Sequence, residues 1–190
     1  MNRKTIGLAL SGGGARGFAH LGVLKVLADN DIPIDFIAGT SAGAFVGAAY
    51  ATGLTADEII NIGRGLTWFK IAGLSYSPRG LLSNAKMQQF IEPRFSTRGF
   101  EDLKIPFAAV ACDLESGEEV IIRDALDLST AVRASCAIPG VFVPVNDGNG
   151  RMLIDGGVVS PVPINAIRTF GPDIVIAVDL MACGAKFWGT

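Results

Sequence analysis

Charge, histidine and cysteine are all scarce in this sequence. Only 18% of the 190 residues are charged and the formal net charge is −2, so no basic surface attracts nucleic acid and no such partner is expected. The single histidine and three scattered cysteines, with no Cys-x-x-Cys pair, argue against a zinc site or a disulfide framework. A reducing compartment fits this cysteine content better than an oxidising one.

Long hydrophobic runs are missing too, although hydrophobic residues make up 49% of the chain. Residues 36–56 carry no charge, and their Gly-x-x-x-Gly-x-x-x-Gly pattern is typical of helices that pair inside membranes. The same residues are rich in Gly, Ala, Ser and Thr, so a strand, a turn and a helix account for them better than a membrane span. The apolar run at 6–10 is too short for a signal peptide and predicts a first strand. We expect a cytoplasmic protein with one domain over residues 1–190.

Apolar runs alternate with helical patterns along the chain. The runs predict six strands, several of them apolar throughout, at 5–10, 36–38, 107–112, 119–123, 151–154 and 174–180. Helical periodicity predicts helices at 15–28, at 42–52, from a capping box at 55–58, at 84–91 behind a Ser83 cap, at 128–135 and at 163–170. This order is typical of an α/β fold with three layers, in which helices cover both faces of a mostly parallel central sheet.

Two segments stand apart from this alternation. Residues 63–99 combine aromatic and basic side chains with weak periodicity, which indicates a long surface excursion or a mobile cap that meets lipid. The chain also ends abruptly with residues 183–190, which follow an apolar strand and have no clear role in the fold. We therefore expect a piece of a longer protein, truncated at its C-terminus.

A nucleophile is predicted where the second strand meets its helix. The residues there are Gly39-Thr40-Ser41-Ala42-Gly43, a Gly-x-Ser-x-Gly turn that places a serine on a sharp bend. The flanking glycines leave room for the bend and for a substrate. The Ser41 hydroxyl then stands at a helix N-terminus, where main-chain N–H groups favour developing negative charge.

A second glycine-rich turn, Ser11-Gly12-Gly13-Gly14-Ala15-Arg16-Gly17, follows the first strand. Three interpretations stay open on these residues alone. The Gly-x-Gly-x-x-Gly spacing matches a dinucleotide-binding turn, although the acidic residue this needs, Asp35, precedes the second strand instead of ending it. Successive N–H groups also suit an oxyanion hole, and both turns should open at the carboxyl edge of one parallel sheet. A purely structural turn is the third interpretation.

The base for a serine nucleophile has two candidates. His20 is the only histidine, but it shares a helical arc with apolar residues, which is typical of a core histidine. Asp155 ends a predicted strand and precedes Gly156 and Gly157, so it should reach the same sheet edge as Ser41. An apolar site would raise the pKa of this aspartate toward the range of a useful base. We expect the remaining candidates to be structural or supporting, namely Asp35, Asp113, Asp179, Cys112 and Cys136.

The three motifs together resemble the patatin-like phospholipase family, in its bacterial branch. The resemblance rests on residues 12–17, 39–43 and Asp-Gly-Gly at 155–157, with further similarity in 113–118 and 134–140. It covers about residues 6–165. It implies a three-layer α/β/α fold and a serine lipid acyl hydrolase, a phospholipase or esterase that cleaves acyl esters through an acyl-enzyme.

Carried over position by position, the resemblance implies Ser41 as the nucleophile and Asp155 as the base of a Ser–Asp dyad. It implies that Gly13 and Gly14 donate N–H groups to an oxyanion hole and that Arg16 supports that turn. The other motif positions it assigns to the site are Gly12 and Gly17 at the hole, Gly39, Thr40, Ala42 and Gly43 around the nucleophile, and Gly156 and Gly157 after the base.

The resemblance also implies which cofactors and partners to expect. No metal or organic cofactor is expected, and the partner is a lipid or ester substrate, reached by peripheral contact at the inner face of the membrane. Two other functions compete with hydrolysis: a non-catalytic regulator that binds lipid or nucleotide on the same fold, and an acyltransferase. The oligomeric state stays open.

Overall fold

The computed structural model describes residues 3–65, 67–75, 80–95, 97 and 99–181. The strands are β1 (Ile6–Leu10), β2 (Phe36–Thr40), β3 (Gly73–Leu74), β4 (Leu82–Ser83), β5 (Phe107–Asp113), β6 (Glu119–Ile122), β7 (Val145–Asn146), β8 (Met152–Asp155) and β9 (Ile174–Val178). The helices are α1 (Ala19–Asp29), α2 (Ala42–Ala51), α3 (Ala56–Arg64), α4 (Trp68–Ile71), α5 (Ala85–Ile91), α6 (Leu128–Ser135) and α7 (Ile164–Arg168). Short 3₁₀ turns at Gly14–Phe18 and Gly156–Val158 precede α1 and follow β8.

Four strands form the parallel part of the main sheet, in the order β5, β2, β1 and β9. The last four residues of β1 and of β2 are buried, as expected for strands that helices cover on both faces. Because β1 and β2 run in parallel, their carboxyl ends lie at the same edge. Both glycine-rich turns therefore leave the sheet side by side.

β5 has three pairing partners, and their register decides where the later strands lie. β2 pairs with residues 107–110 of β5 in parallel, whereas β8 pairs with 111–113 and β6 with 109–112, both antiparallel. Since β6 overlaps both other partners, it must occupy one side of β5 while β2 and β8 share the other side. The end of β2 at Thr40 and the end of β8 at Asp155 thus meet head to head.

Helices cover the two faces of the sheet unequally. The larger core packs α1, α2, α3, α5 and α6 against one set of alternate strand residues, which includes Leu8 and Ile37. The opposite face presents Ala9, Ala38 and Ala108 to α7. These small side chains let α7 lie close to the strands. The arrangement is the predicted α/β/α fold in three layers.

Residues 36–56 form β2 and the ten-residue α2, so the strand, turn and helix are confirmed and the membrane-helix alternative for them is wrong. In the described ranges, no helix is long and apolar enough to cross a bilayer. The capping box is also confirmed at α3. The Thr55 side chain accepts the Glu58 N–H, and the Glu58 carboxylate accepts the Thr55 N–H at 2.8 Å.

Several predicted boundaries were wrong. The helix expected from residue 15 starts as a 3₁₀ turn, and α1 begins only at Ala19. The last strand ends at Val178, so Asp179 lies beyond it. Asn84 and not Ser83 occupies the N-cap of α5.

The sheet is also more mixed than predicted, because β6, β7 and β8 all pair in antiparallel fashion. The connection from β5 to β6 is a tight turn, in which the Asp113 carboxylate accepts the Glu115 N–H and the Ser116 hydroxyl. So short a connection can join only antiparallel strands. The two-residue strands β3, β4 and β7 had no periodicity by which they could be predicted.

The excursion at 63–99 contains α4, β3, β4 and α5 among its described residues. The Leu82 N–H donates to the Val141 carbonyl, and the Leu82 carbonyl accepts the Val143 N–H, so β4 is tied to the chain after α6. The mobility expected for this segment stays a prediction. Residues 183–190, where the chain was expected to be cut short, lie outside the described residues.

Candidate active site

Ser41 lies on the turn between β2 and α2, as predicted. Its φ of 54° and ψ of −118° are unusual for a residue with a side chain, and Asp31 alone shares a positive φ among the described non-glycine residues. The turn also needs Gly43, because a methyl group there would overlap the main-chain carbonyls of Leu10 and Ser11. The sharp bend carries Ser41 out of the sheet and leaves it half-buried at the start of α2.

The Asp155 carboxylate is the hydrogen-bond partner of Ser41. The Ser41 hydroxyl donates to Asp155 Oδ2 at 2.7 Å, while Oδ1 accepts the Gly157 N–H at 2.8 Å. Asp155 is only 6% exposed. Burial raises the pKa of this carboxyl, and the hydrogen bonds from Ser41 and Gly157 partly oppose the increase. The carboxylate is therefore a better proton acceptor than an exposed aspartate.

Asp155 reaches Ser41 by a route that the sequence did not predict. β8 runs antiparallel to β5, so Asp155 reaches the carboxyl end of β2 from the opposite direction and the two strand ends meet head to head. Gly156 permits the exit from β8, because a methyl group at that position would overlap the Val110 carbonyl. The two side chains meet as expected, but antiparallel pairing brings them together.

The first glycine-rich turn lies beside Ser41, and Gly14 lines the same cavity. Among the described residues, no acceptor pairs with the N–H groups of Gly13 and Gly14. The Gly12 N–H is already used, since it donates to the Pro161 carbonyl at 2.9 Å. Of the three glycines at the start of this turn, Gly13 and Gly14 therefore keep N–H groups that could bind a ligand, and their role in an oxyanion hole stays a prediction.

Arg16 and Gly17 shape this turn from the other side. The Arg16 N–H donates to the Gly13 carbonyl at 3.1 Å, and its exposed guanidinium donates to the Met181 sulfur at 3.5 Å. Gly17 packs against Ala42, whose side chain would collide with any larger residue at 17. Both residues contribute to the shape of the turn.

His20 is fully buried beneath the same turn. Its Nε2 lies 2.8 Å from the Ser11 carbonyl, so it is directed to that main chain and not to Ser41. Nδ1 has no partner among the described residues. Burial lowers the pKa of His20, although the Ser11 bond opposes this, so the imidazole is neutral at neutral pH. The structure confirms a core histidine.

Asp35 lies at the amino end of β2, away from Ser41. Its carboxylate binds the Arg3 guanidinium at 2.6 and 2.7 Å and accepts the Ile6 N–H at 2.7 Å. A dinucleotide fold holds the ribose with a free carboxylate at the end of the second strand. Asp35 is neither free nor at that end, which argues against the dinucleotide interpretation.

The two described cysteines are buried, as expected. Cys136 differs from Cys112 because it lines the cavity next to Ser41, a contact that the sequence did not predict. Burial and the nearby Asp155 charge raise the pKa of the Cys136 thiol far above its ordinary value. A protonated thiol is a poor nucleophile. Within the described ranges, no three His, Cys, Asp or Glu side chains are grouped to hold a metal ion.

A cavity of about 290 Å³ opens from Ser41. Its wall contains no charged side chain among the described residues, and hydroxyl or thiol groups come from Ser41, Thr67 and Cys136. The large apolar side chains of the wall are Phe18, Phe45, Val46, Ile71, Met87, Ile138 and Phe142.

The chain at the end of α6 contacts both members of the pair, and no role was predicted for it. The Ser135 hydroxyl accepts the Ser41 N–H at 2.8 Å, and the Ala137 carbonyl accepts the Asp155 N–H at 2.9 Å. The similarity noted in 134–140 was the one signal in the sequence that this segment matters. No local pattern shows which residue a distant hydroxyl will meet.

Comparison with known proteins shows that this chain is similar to part of several longer proteins. The chain is 40% identical over 178 residues to an NTE family protein of Mycobacterium tuberculosis, named as uncharacterized, and the match covers 92% of this chain and 49% of that protein. It is 34% identical over 186 residues to patatin-like phospholipase domain-containing protein 6 of Homo sapiens, which covers 93% of this chain and 13% of the human protein. The chain thus spans about half the length of these relatives, or less.

The structural comparison shows the same fold. The crystal structure of VipD from Legionella pneumophila matches with a TM-score of 0.64 at 16% identity, over 84% of this chain and 46% of VipD. In sequence, the family model for patatin-like phospholipases matches residues 8–167, which include both glycine-rich turns and the Asp-Gly-Gly motif. The chain belongs to the patatin-like phospholipase family.

Proposed function

We propose that this chain is a serine lipid acyl hydrolase in which Ser41 attacks an acyl ester and Asp155 acts as the base. The observation that carries this proposal is the 2.7 Å hydrogen bond from the Ser41 hydroxyl to the buried Asp155 carboxylate. It supports a Ser–Asp dyad because the only histidine in the sequence is bonded elsewhere. Family membership supports the reaction class.

In the first half-reaction, Asp155 accepts the hydroxyl proton as Ser41 Oγ forms a bond to the ester carbonyl carbon. The carbonyl electron pair moves to its oxygen, which gains negative charge. The unpaired N–H groups of Gly13 and Gly14, together with the N-terminus of α2, are suited to stabilise that charge. The tetrahedral intermediate then expels the alcohol, which takes the proton from Asp155 and leaves an acyl-enzyme.

In the second half-reaction, water replaces the alcohol. Asp155 accepts a proton from water as the water oxygen attacks the acyl carbon, and collapse of the second intermediate breaks the Ser41–acyl bond. Ser41 recovers its proton from Asp155, and the fatty acid leaves. If an alcohol or thiol takes the place of water, the same acyl-enzyme gives acyl transfer.

The cavity supports an apolar acyl group as the part of the substrate that is recognised. Its wall offers apolar contacts and no charge in the described part of the chain, so a polar head group is best placed outside it. Phe18 and Ile138 belong to the wall yet are 48% and 40% exposed. They therefore form an apolar rim, through which a chain could pass from lipid without crossing water.

Peripheral membrane contact belongs to the same proposal. Leu74 and Leu81 on the β3–β4 hairpin are 81% and 76% exposed, the two highest values among the large apolar side chains described. Leu81 is followed by Leu82, which forms a β-bridge with Phe142 in the cavity wall. The hairpin thus places exposed leucines near the cavity and is suited to enter a bilayer surface at the cytoplasmic face.

The test of the proposed function is labelling with a fluorophosphonate together with hydrolysis of a short p-nitrophenyl ester. We expect the wild-type chain to hydrolyse the ester and to be labelled at Ser41, and we expect Ser41→Ala to lose the label and at least roughly 10³-fold in kcat. Ser116→Ala is the matched control, because Ser116 is an exposed serine in the β5–β6 turn. It should keep both properties.

Two results would contradict the proposal. Near-normal turnover in Ser41→Ala would exclude this serine as the nucleophile. A wild-type chain that binds fatty acid but neither reacts with the probe nor turns over would favour the non-catalytic regulator. Mass spectrometry of the products with an added alcohol or thiol distinguishes hydrolysis from acyl transfer.

A further inference from the structure

The main-chain pairing of β2 with β5 is interrupted at the residue that carries the hydroxyl. The two strands pair in parallel from Ile37 opposite Phe107 to Thr40 opposite Val110. The Ile37 N–H donates to the Pro106 carbonyl at 3.0 Å. Such bonds recur at every second residue along a parallel strand. The ladder therefore predicts a bond from the Ser41 N–H to the Val110 carbonyl.

A side chain occupies the place of that bond. The Ser135 hydroxyl donates to the Val110 carbonyl at 2.5 Å and accepts the Ser41 N–H at 2.8 Å. Ser135 is 0% exposed and is the last residue of α6. The Ser135 hydroxyl thus pairs with the Ser41 N–H and the Val110 carbonyl, which would otherwise bond to each other. It holds these two backbone groups apart by the width of an oxygen atom.

This insertion coincides with the departure of Ser41 from the sheet. A direct bond to Val110 would keep Ser41 in the plane of β2, whereas the observed φ of 54° turns it out toward Asp155. The same segment holds the partner, because the Ala137 carbonyl accepts the Asp155 N–H two residues further on. The end of α6 therefore fixes the backbones of both reacting groups.

We propose that Ser135 is a positioning residue, whose hydroxyl replaces one strand-to-strand hydrogen bond and thereby sets the separation of Ser41 from Asp155. The inference rests on the proposed function, since it concerns the same pair. It assigns to the 134–140 segment a task in the reaction: the hydroxyl does not touch the substrate, but it decides where the nucleophile stands.

Ser135→Ala should disturb this geometry whichever way the backbone responds. If the Ser41 N–H then bonds directly to the Val110 carbonyl, Ser41 moves toward the sheet. If it does not, the Ser41 N–H and the Val110 carbonyl are both left without a hydrogen-bond partner. A displacement of about 1 Å costs on the order of 10²-fold in rate. We expect kcat to fall by about that factor while KM changes less than about threefold, because the cavity wall is unaltered.

The pH profile separates positioning from mere stability. The hydrogen bond from Ser41 lowers the pKa of Asp155, so its loss should raise that pKa and move the acid limb of kcat/KM to higher pH. Ser129→Ala is the matched control, since Ser129 is a buried serine on the same helix that donates to Asp127 at 2.6 Å. It should lower the stability of α6 and leave the acid limb in place.

The experiment measures kcat, KM and the acid limb for wild type, Ser135→Ala, Ser135→Cys, Ser129→Ala and Ser41→Ala with one soluble ester. Ser135→Cys offers a side chain of similar shape that bonds only weakly, so it carries the test if Ser135→Ala does not fold. If the acid limb and kcat of the foldable Ser135 variant match those of Ser129→Ala, the positioning role is excluded. An active Ser41→Ala would instead contradict the dyad itself, so the two failures are distinguishable.

Discussion

The cavity has a polar end and an apolar end, which are held by different forces. At the polar end, hydrogen bonds fix Ser41 to Asp155 and tie their backbones to the last residue of α6 and to the chain that follows it. At the apolar end, the rim residues Phe18 and Ile138 are held by packing and are partly exposed. Hydrogen bonds fix distance and direction closely, whereas apolar packing accepts changes of shape. The positions of Ser41 and Asp155 are therefore fixed more tightly than the shape of the apolar wall.

The largest expected effect comes from the polar end. Asp155→Asn keeps the shape of the side chain but removes the base, so kcat should fall by roughly 10³-fold or more with the fold intact. In the wild type, the acid limb of kcat/KM should lie above the pKa of an ordinary aspartate, because burial raises the pKa of Asp155. A stopped or continuous ester assay from pH 4 to 8 measures both quantities.

The same substitution should stabilise the folded chain. A carboxyl whose pKa is raised on folding costs stability at every pH where it is ionised in both states, and this cost disappears as the pH falls below the unfolded pKa of about 3.9. Asp155→Asn removes this cost and should therefore raise Tm at pH 7. A lower Tm at pH 7 would contradict a destabilising charge at the polar end.

A smaller and more selective effect is expected at the exposed leucines of the β3–β4 hairpin, which lie outside the cavity. The double substitution Leu74→Asp and Leu81→Asp should reduce hydrolysis of phosphatidylcholine vesicles several-fold, because burying either charge in lipid is costly. Turnover of a short soluble ester should stay normal, since neither side chain lines the cavity. Co-sedimentation with the vesicles gives an independent measure of binding.

Val26→Asp is the control for this comparison, because Val26 is 58% exposed on α1 and lies outside the cavity wall. It should leave vesicle hydrolysis unchanged. Equal losses of vesicle hydrolysis in Val26→Asp and in the hairpin variant would show that membrane contact is not specific to the hairpin. Unchanged vesicle hydrolysis in the hairpin variant would exclude the β3–β4 leucines as the contact.

The smallest effect on rate is expected for His20, which lies under the polar end without contacting the pair. Its amide replacement His20→Gln can still donate to the Ser11 carbonyl, so kcat should change less than about threefold. A large loss of kcat with an intact fold would favour a Ser-His-Asp triad over the dyad.

The free energy of unfolding, in contrast, should depend on pH through the protonation of His20. Burial lowers the pKa of His20, so on acidification the unfolded chain gains a proton near pH 6.5 that the folded chain does not yet bind. The wild-type free energy of unfolding should fall from pH 7 to pH 5, by at most about 1.4 kcal/mol per pH unit from this group. His20→Gln should flatten that slope in urea titrations, and an equal slope in both proteins would contradict a neutral buried imidazole.

The polar end was partly predictable because its motifs are local. The turn at Ser41 depends on residues that adjoin it in sequence, and the glycines there identify a strand, a bend and a helix without any distant contact. The same holds for the capping box at Thr55, where both partners lie within one helical turn. The predicted strand boundaries were less accurate, as at the end of β9 at Val178, because the hydrogen-bonded pairing of a strand stops where the neighbouring strand stops.

Other features of the site could not be predicted from residues that are neighbours in the sequence. The Gly12 N–H donates to the Pro161 carbonyl, which is remote in sequence, so the glycine-rich turn alone gave no sign that this N–H is occupied. The antiparallel entry of β8 depends on β5 offering a free stretch beyond the end of β2. Ser135 lies 94 residues from Ser41, and one hydroxyl in a small-residue segment gives no hint of its partner.

The sequence by itself determined the α/β class and the bend at Ser41. Because it contains a single histidine, it also made a carboxylate the main candidate for the base. These follow from short-range preferences, because glycine, β-branched and small residues restrict the backbone near their own positions. Only the tertiary structure decided that β2 and β8 end opposite each other on β5 and that a hydroxyl from α6 fills the gap between strands. Those contacts are set by packing and hydrogen-bond satisfaction across the whole core, which no local window contains.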